Sequence, residues 1–195
     1  MPATEVDTRQ LILDTAQECM AHKGYAAVGL TEILTGAGVP KGSFYHYFPS
    51  KDAFGEALMK SYFTDYLSTM DTLLHDTSLN GADRVMEYWQ RFYDLQSFDD
   101  YQGKCLVVKL AAEVSDLSET MRVQLDVGTT GLVARIERLI EGGVADGTLS
   151  ADLDAPALAA TLYDLWVGAS VMAKIQRRPD ALDRAMTNTR ALLHL

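Results

Sequence analysis

The sequence predicts an all-α protein of about nine helices, with a three-helix N-terminal domain over 1–51 that contains a helix-turn-helix, followed by a helical domain over 52–195. Two observations carry this. Leu30-Thr31-Glu32-Ile33-Leu34-Thr35 and the stretch from Val39 to Lys51 are short amphipathic segments separated by Gly36-Ala37-Gly38, which spells helix, glycine turn, helix. Beyond residue 81 apolar residues keep helical spacing, with no strand-like alternation, internal repeat or low-complexity tract. At 195 residues and 48% hydrophobic content the chain can bury a substantial core.

The first helix is expected from Asp7, whose carboxylate can cap it with Gln10 three residues on. Its apolar positions include Ile12, Ala16, Cys19 and Met20, and Gly24 supplies a left-handed stop. Cys19 reads as a small core hydrophobe, with a sensor thiol as the alternative. Pro40, tolerated in a first turn, and Pro49, which prevents continuation, bracket the third helix, where Phe44 and Phe48 are four apart and face inward. Ser50 caps a fourth helix over about Lys51–His75, with Phe54, Leu58, Tyr62, Tyr66, Leu67, Met70 and Leu74 as its apolar stripe. A turn-rich loop over 76–81 leads to a fifth helix over about Ala82–Ser97, with Val85, Tyr88, Trp89, Phe92 and Leu95 on one face. A sixth begins just after Gly103, and a seventh covers about Ser118–Asp146 and stops at Gly147. Asp154 caps the eighth, with Pro156 in its first turn, and the ninth covers about Asp180–Leu193.

The second helix of a helix-turn-helix must bring short or planar donors to base edges in a major groove while its flanks hold phosphates. Lys41 and Ser43 suit the first task. Gly42 lets the backbone come close to the duplex, and Tyr45 and Tyr47 offer hydroxyls to phosphate oxygens. Lys51 stands at the first position of the fourth helix, where the dipole disfavours a cation by up to about 1 kcal/mol. A phosphate docked there would face both amide hydrogens and the ammonium; a solvated lysine is the alternative.

A net charge of −10 opposes binding to a polyanion. Residues 1–51, however, carry four basic and five acidic side chains, a net of −1, and 33–51 hold no acid at all. The acidity belongs to the remainder, which implies modest non-specific affinity and dependence on a good operator and a dimer. His22, His46, His75 and His194 show no ligand spacing, so neither metal nor cofactor is expected. Cys19 and Cys105, far apart in a chain without an export signal, read as reduced thiols. No run of about 18 uncharged apolar residues occurs. Together with an N-terminus unlike a signal peptide, this leads us to expect no membrane span and a cytoplasmic protein.

Leu30–Leu34, the glycine turn, and Gly42-Ser43-Phe44-Tyr45-His46-Tyr47-Phe48-Pro49-Ser50-Lys51-Asp52-Ala53-Phe54 resemble the DNA-binding signature of TetR-family repressors. The resemblance implies phosphate contacts from Thr31, Tyr45, Tyr47 and Lys51, and base-edge contacts from Lys41, Ser43 and His46. Pro40 departs from the pattern, since many members carry a serine there. A second run, Gly103-Lys104-Cys105-Leu106-Val107-Val108-Lys109-Leu110-Ala111-Ala112-Glu113-Val114-Ser115-Asp116-Leu117-Ser118, is similar to an electrophile-sensing branch of that family. With Gly168-Ala169-Ser170 and Lys174-Ile175 the similarity extends over nearly the whole chain. It implies a homodimeric repressor on a palindromic operator of double-stranded DNA, a ligand-sensing and dimerisation domain, and a dimer bundle from the last two helices.

It also implies that Cys105 senses electrophiles or oxidants, here without a second partner cysteine. Lys104 and Lys109 nearby, and a helix N-terminus, would favour a thiolate; the alternative is a buried, inert cysteine. Lys174 ends the apolar run of the eighth helix, and either stabilises the Cys105 sulfur or snorkels to water. The implied small-ligand pocket draws on Trp89, Phe92, Tyr93, Tyr163 and Trp166, residues that serve a core equally well. Ala160, Gly168, Ala169 and Ala173 allow close approach of a helix from a second copy. Three competing readings are a regulator of a reversibly bound metabolite, an activator, and an enzyme such as a thiol peroxidase. The last lacks a resolving cysteine or a His/carboxylate set.

Overall fold

The structure is a computed structural model that describes residues 5–101, 103 and 105–195, with the side chains of 5–7 and 99 outside the description. The expected Asp7 cap and the Lys104 charge fall outside the described residues. Among the described residues there are nine helices and no strand: α1 Glu5–Lys23, α2 Leu30–Gly36, α3 Lys41–Tyr47, α4 Lys51–Leu74, α5 Gly81–Tyr101, α6 Leu106–Leu117, α7 Glu119–Ala145, α8 Ala155–Gln176 and α9 Asp180–Leu192.

Local chemistry sets several helix ends. Gly24 takes a φ of 89° and its N–H donates to Met20 O at 2.9 Å, which closes α1 in a conformation that a side chain would strain. Ser50 Oγ accepts from Ala53 N at 3.0 Å and starts α4, and Asp154 Oδ1 accepts from Ala157 N at 3.2 Å and starts α8. Three details differ from the sequence expectation. α1 already includes Glu5, two residues before the expected start at Asp7. Pro40 is the N-cap of α3, with extended backbone, and stands just outside its first turn. The buried positions of α4 are Phe54, Leu58, Met59, Phe63, Met70 and Leu73, whereas Tyr62, Tyr66, Leu67 and Leu74 are half-buried. The buried stripe is thus rotated toward Phe63 and Leu73.

The chain forms two compact units. The first comprises α1, α2, α3, α4 through Thr64, α6, and α7 through Gly128; the second comprises α4 from Asp65, α5, Gly103, α7 from Thr129, α8 and α9. The first unit buries Ile12, Leu13, Met20, Ile33, Phe44, Phe48, Leu58 and Leu110 almost completely.

In the second unit Trp89 of α5 and Trp166 of α8 are fully buried and stacked, with centroids 5.1 Å apart and planes at 8°. Such a pair is worth about 0.5–1.5 kcal/mol beyond its buried area. Trp166 Nε1 donates to Thr189 Oγ1 at 2.9 Å, so α9 supplies the polar partner that a buried indole requires. Of the described helices only α8 is long and apolar enough to cross a membrane by composition. Ala159, Leu162, Trp166 and Ala173 are buried, while Val171, Met172 and Ile175 are exposed.

Gly81 opens α5 against the backbone of α7. A Cβ there would collide with Gly143 Cα and N, atoms that cannot swing aside. Gly81→Ala is therefore expected to destabilise the protein by about 1–3 kcal/mol, read as a lower urea midpoint at unchanged slope.

Candidate functional site

The helix-turn-helix is built from very short helices, so its geometry comes from the packing beneath it. Ala37 N and Val39 N donate to Ile33 O and Leu34 O at 2.9 Å each and close the turn, with Gly38 at a φ of 65°. Phe44 and Phe48 from the recognition helix and its end meet Phe54 of α4, with ring centroids 5.1–5.3 Å apart. The Arg9 guanidinium lies 5.1 Å from the Phe48 centroid, a cation–π contact from α1. With α3 held by these rings, Lys41, Gly42, Tyr45 and His46 are exposed, and Ser43 and Tyr47 are half-buried. Thr31 is exposed at the second position of α2, and Lys51 is exposed at the first position of α4. All eight sequence-predicted residues belong to the first unit and sit on α2, α3 or the start of α4. The space beside Gly42 is open.

Cys105 is the N-cap of α6 and is only 6% exposed. Its Sγ accepts a hydrogen bond from the Tyr62 hydroxyl of α4 at 3.6 Å. Its carbonyl accepts from Lys109 N at 3.1 Å, the first turn of α6. Farther along α6, the Glu113 carboxylate accepts from two consecutive backbone amides of the α1–α2 turn, Tyr25 N at 3.1 Å and Ala26 N at 2.6 Å. Sequence reasoning assigned no role to Tyr62 beyond the apolar stripe, and none to Glu113. Their partners lie 43 and 87–88 residues away, so no local pattern announces them. Cys19 is half-buried, and its thiol is pushed above its ordinary value by burial and then by Glu32. This disfavours the thiolate and so a sensor thiol, while half-burial places Cys19 at the edge of the core. Lys174 is half-buried in the last turn of α8 and belongs to the second unit, whereas Cys105 belongs to the first.

The five predicted pocket residues occupy different surroundings in the second unit. Trp89 and Trp166 form the stacked core pair described above. Phe92 lines a cavity of about 230 Å³ together with Tyr66, Met70 and Leu73 of α4 and Arg91 of α5. Tyr163 is buried and borders a separate hollow with Thr130 and Glu137 of α7. The Tyr93 hydroxyl donates to Asp183 Oδ1 of α9 at 2.8 Å. Among the described residues no cluster of three His, Cys, Asp or Glu could hold a metal ion.

A helix-turn-helix anchored in this way at the head of an all-helical chain defines a DNA-binding transcription regulator. The sequence matches the family described as "Bacterial regulatory proteins, tetR family" over residues 12–58 and "Tetracyclin repressor-like, C-terminal domain" over 81–189. The chain belongs to the TetR family of transcriptional repressors, which are not enzymes; members bind DNA and ligands and function as dimers. It is 37% identical to the HTH-type transcriptional repressor NemR of Escherichia coli strain K12 over 190 residues, 97% of this chain and 96% of that protein. It is 36% identical to the transcriptional regulator AcuR of Cereibacter sphaeroides over 173 residues, 89% of this chain and 79% of that protein. The crystal structure of the reduced form of E. coli NemR superposes with a TM-score of 0.88 at 39% identity, covering 95% of this chain and 96% of that one.

Burial, and then the hydrogen bond to Asp183, push the Tyr93 phenol up to about 12. The neutral phenol is favoured in the folded state, so its contribution is complete below the ordinary tyrosine value and is lost as pH rises through about 12. Absorbance titration at alkaline pH should show one phenol at about 12 that is absent in Tyr93→Phe and shifted down in Asp183→Asn.

Proposed function

We propose that the protein binds a palindromic operator as a homodimer and is released when a reactive electrophile or oxidant modifies Cys105. Residues 1–51 carry the DNA contacts, and 52–195 the sensing and dimer contacts. Thr31, Tyr45, Tyr47 and Lys51 hold phosphates; Lys41, Ser43 and His46 reach base edges; Gly42 allows close approach. The exposed Val171, Met172 and Ile175 of α8 supply the apolar face that a twofold contact covers, and a dimer presents two recognition helices to successive major grooves about 34–36 Å apart. The protein works in the cytoplasm, where thiols are kept reduced.

The observation that carries the sensing reading is the position of Cys105. Cys105 is the N-cap residue of α6, its sulfur accepts from Tyr62 of α4, and it belongs to the same compact unit as the helix-turn-helix. The relative whose crystal structure is of a reduced form adds support. In this scheme Lys174 is assigned a role in the response of Cys105 to oxidants. Lys174→Met is then expected to blunt the oxidant response; an unchanged response would assign that lysine a packing role instead.

A second reading rests on the cavity beside Phe92, which suits a small, largely apolar ligand bound reversibly. The two readings separate in one experiment. Fluorescence anisotropy on DNA flanking the gene, at fixed salt, is followed for wild type and Cys105→Ser before and after a quinone or hypochlorite challenge. Loss of binding by challenged wild type alone supports the thiol switch. Binding that survives in both proteins removes it and directs attention to the cavity.

Two substitutions test the DNA contacts. Lys51→Ala should reduce the magnitude of the salt slope of log affinity by about 0.9, the value for one phosphate contact. Gly42→Ala has open space for its methyl and should stabilise α3 by up to about 1 kcal/mol while weakening operator binding.

A further inference from the structure

We propose that Glu113 is a positioning residue: it converts displacement of α6, caused by modification of Cys105, into movement of the α1–α2 turn. The proposal deepens the Cys105 reading and rests on it. α6 is tied at two points to other elements of its unit. At its N-cap the Cys105 sulfur accepts from Tyr62 of α4, and eight residues on, about 12 Å along a helix axis, the Glu113 carboxylate grips the turn.

The grip is bidentate. One carboxylate oxygen takes Tyr25 N and the other Ala26 N, the two amides that follow the left-handed stop at Gly24. These are charge-assisted bonds, roughly twice as strong as neutral ones. The carboxylate lies close over the turn, since a Cβ on Gly24 would stand 3.3 Å from Glu113 Oε2. Beyond the turn comes α2, which carries Thr31 and whose Glu32 is bonded to Lys23 of α1.

The sulfur end is tightly enclosed. Cys105 is 6% exposed and Leu106, Val107 and Leu110 of α6 are buried, so a group added to Sγ must displace packed neighbours and shifts the acceptor of the Tyr62 hydroxyl. Packed cores respond to such insertion by shifting backbone. A helix of 12 residues moves as one body, and its carboxylate takes the Tyr25–Ala26 turn with it.

The test uses the full chain in a Cys19→Ser background, with N-ethylmaleimide as the probe. The Cys105 sulfur adds to the maleimide double bond and its proton ends on the neighbouring ring carbon; nothing is oxidised and no group leaves. Operator affinity is compared before and after alkylation, with alkylation followed by mass. Allosteric couplings commonly span about 5–150-fold, and the parent protein should lose at least ~10-fold. Glu113→Ala should become alkylated as completely and lose less than ~3-fold. Glu113→Gln, which keeps one acceptor oxygen of the two, should fall between them and serves if the alanine variant does not fold. Amide exchange provides the structural readout: the Tyr25 and Ala26 N–H groups should lose protection on alkylation of the parent.

An alkylated Glu113→Ala protein that loses affinity as fully as the parent, or Tyr25 and Ala26 amides that stay protected in a responsive parent, overturns the role of Glu113 alone. A fully alkylated parent that keeps its affinity overturns the Cys105 reading and this proposal with it.

Discussion

A seven-residue helix is not stable by itself, because nucleation costs more than so few hydrogen bonds return. The recognition helix α3 therefore exists in its orientation because Phe44 and Phe48 are sunk into a ring cluster completed by Phe54. That cluster does two things at once. It fixes the rotation of α3, which decides that Lys41, Gly42, Tyr45 and His46 are exposed. It also joins α3 to the first turn of α4, so the helix that starts at Lys51 cannot shift without carrying the recognition helix along.

The same economy governs α6. α6 is amphipathic and covers the first unit with Leu106, Val107, Leu110 and Val114, which leaves its polar positions free for specific ties. Cys105 occupies the capping position, where a serine or aspartate would ordinarily accept from the helix amides; a thiol is a weak acceptor, and no side-chain cap bond forms. Its sulfur instead receives the Tyr62 hydroxyl. A cysteine at a cap thus gives up some helix stability and places a thiol where α6 meets α4.

The acidic character of the chain fits a regulator whose DNA surface is local. Residues 33–51 carry no acid, and Glu32 beside them is bonded to Lys23 at 2.5 Å. A surface so composed offers oriented hydroxyls, amides and a few cations, and only a weak general positive field. The excess of carboxylates in the rest of the chain limits non-specific retention on DNA.

The sequence by itself determined the all-helical class, the helix-turn-helix, the inward face of its third helix, and several helix ends. These are local matters: Gly24, Ser50 and Asp154 act within a few residues of themselves, and the spacing of Phe44 and Phe48 sets a face within one short helix. Only the tertiary structure decided the rest. The aromatic stripe of α5 reads identically as core or pocket wall. Contact with α8 and α9 resolved it, burying Trp89 against Trp166, tying Tyr93 to Asp183, and leaving Phe92 at a cavity. The apolar stripe of α4 turned out rotated toward Phe63 and Leu73, because what a helix buries depends on its neighbours as well as on its own period. Glu113 and Tyr62 were silent in the sequence for the same reason: a carboxylate or phenol on a helix has no partner until folding brings residues dozens of positions away within bonding distance.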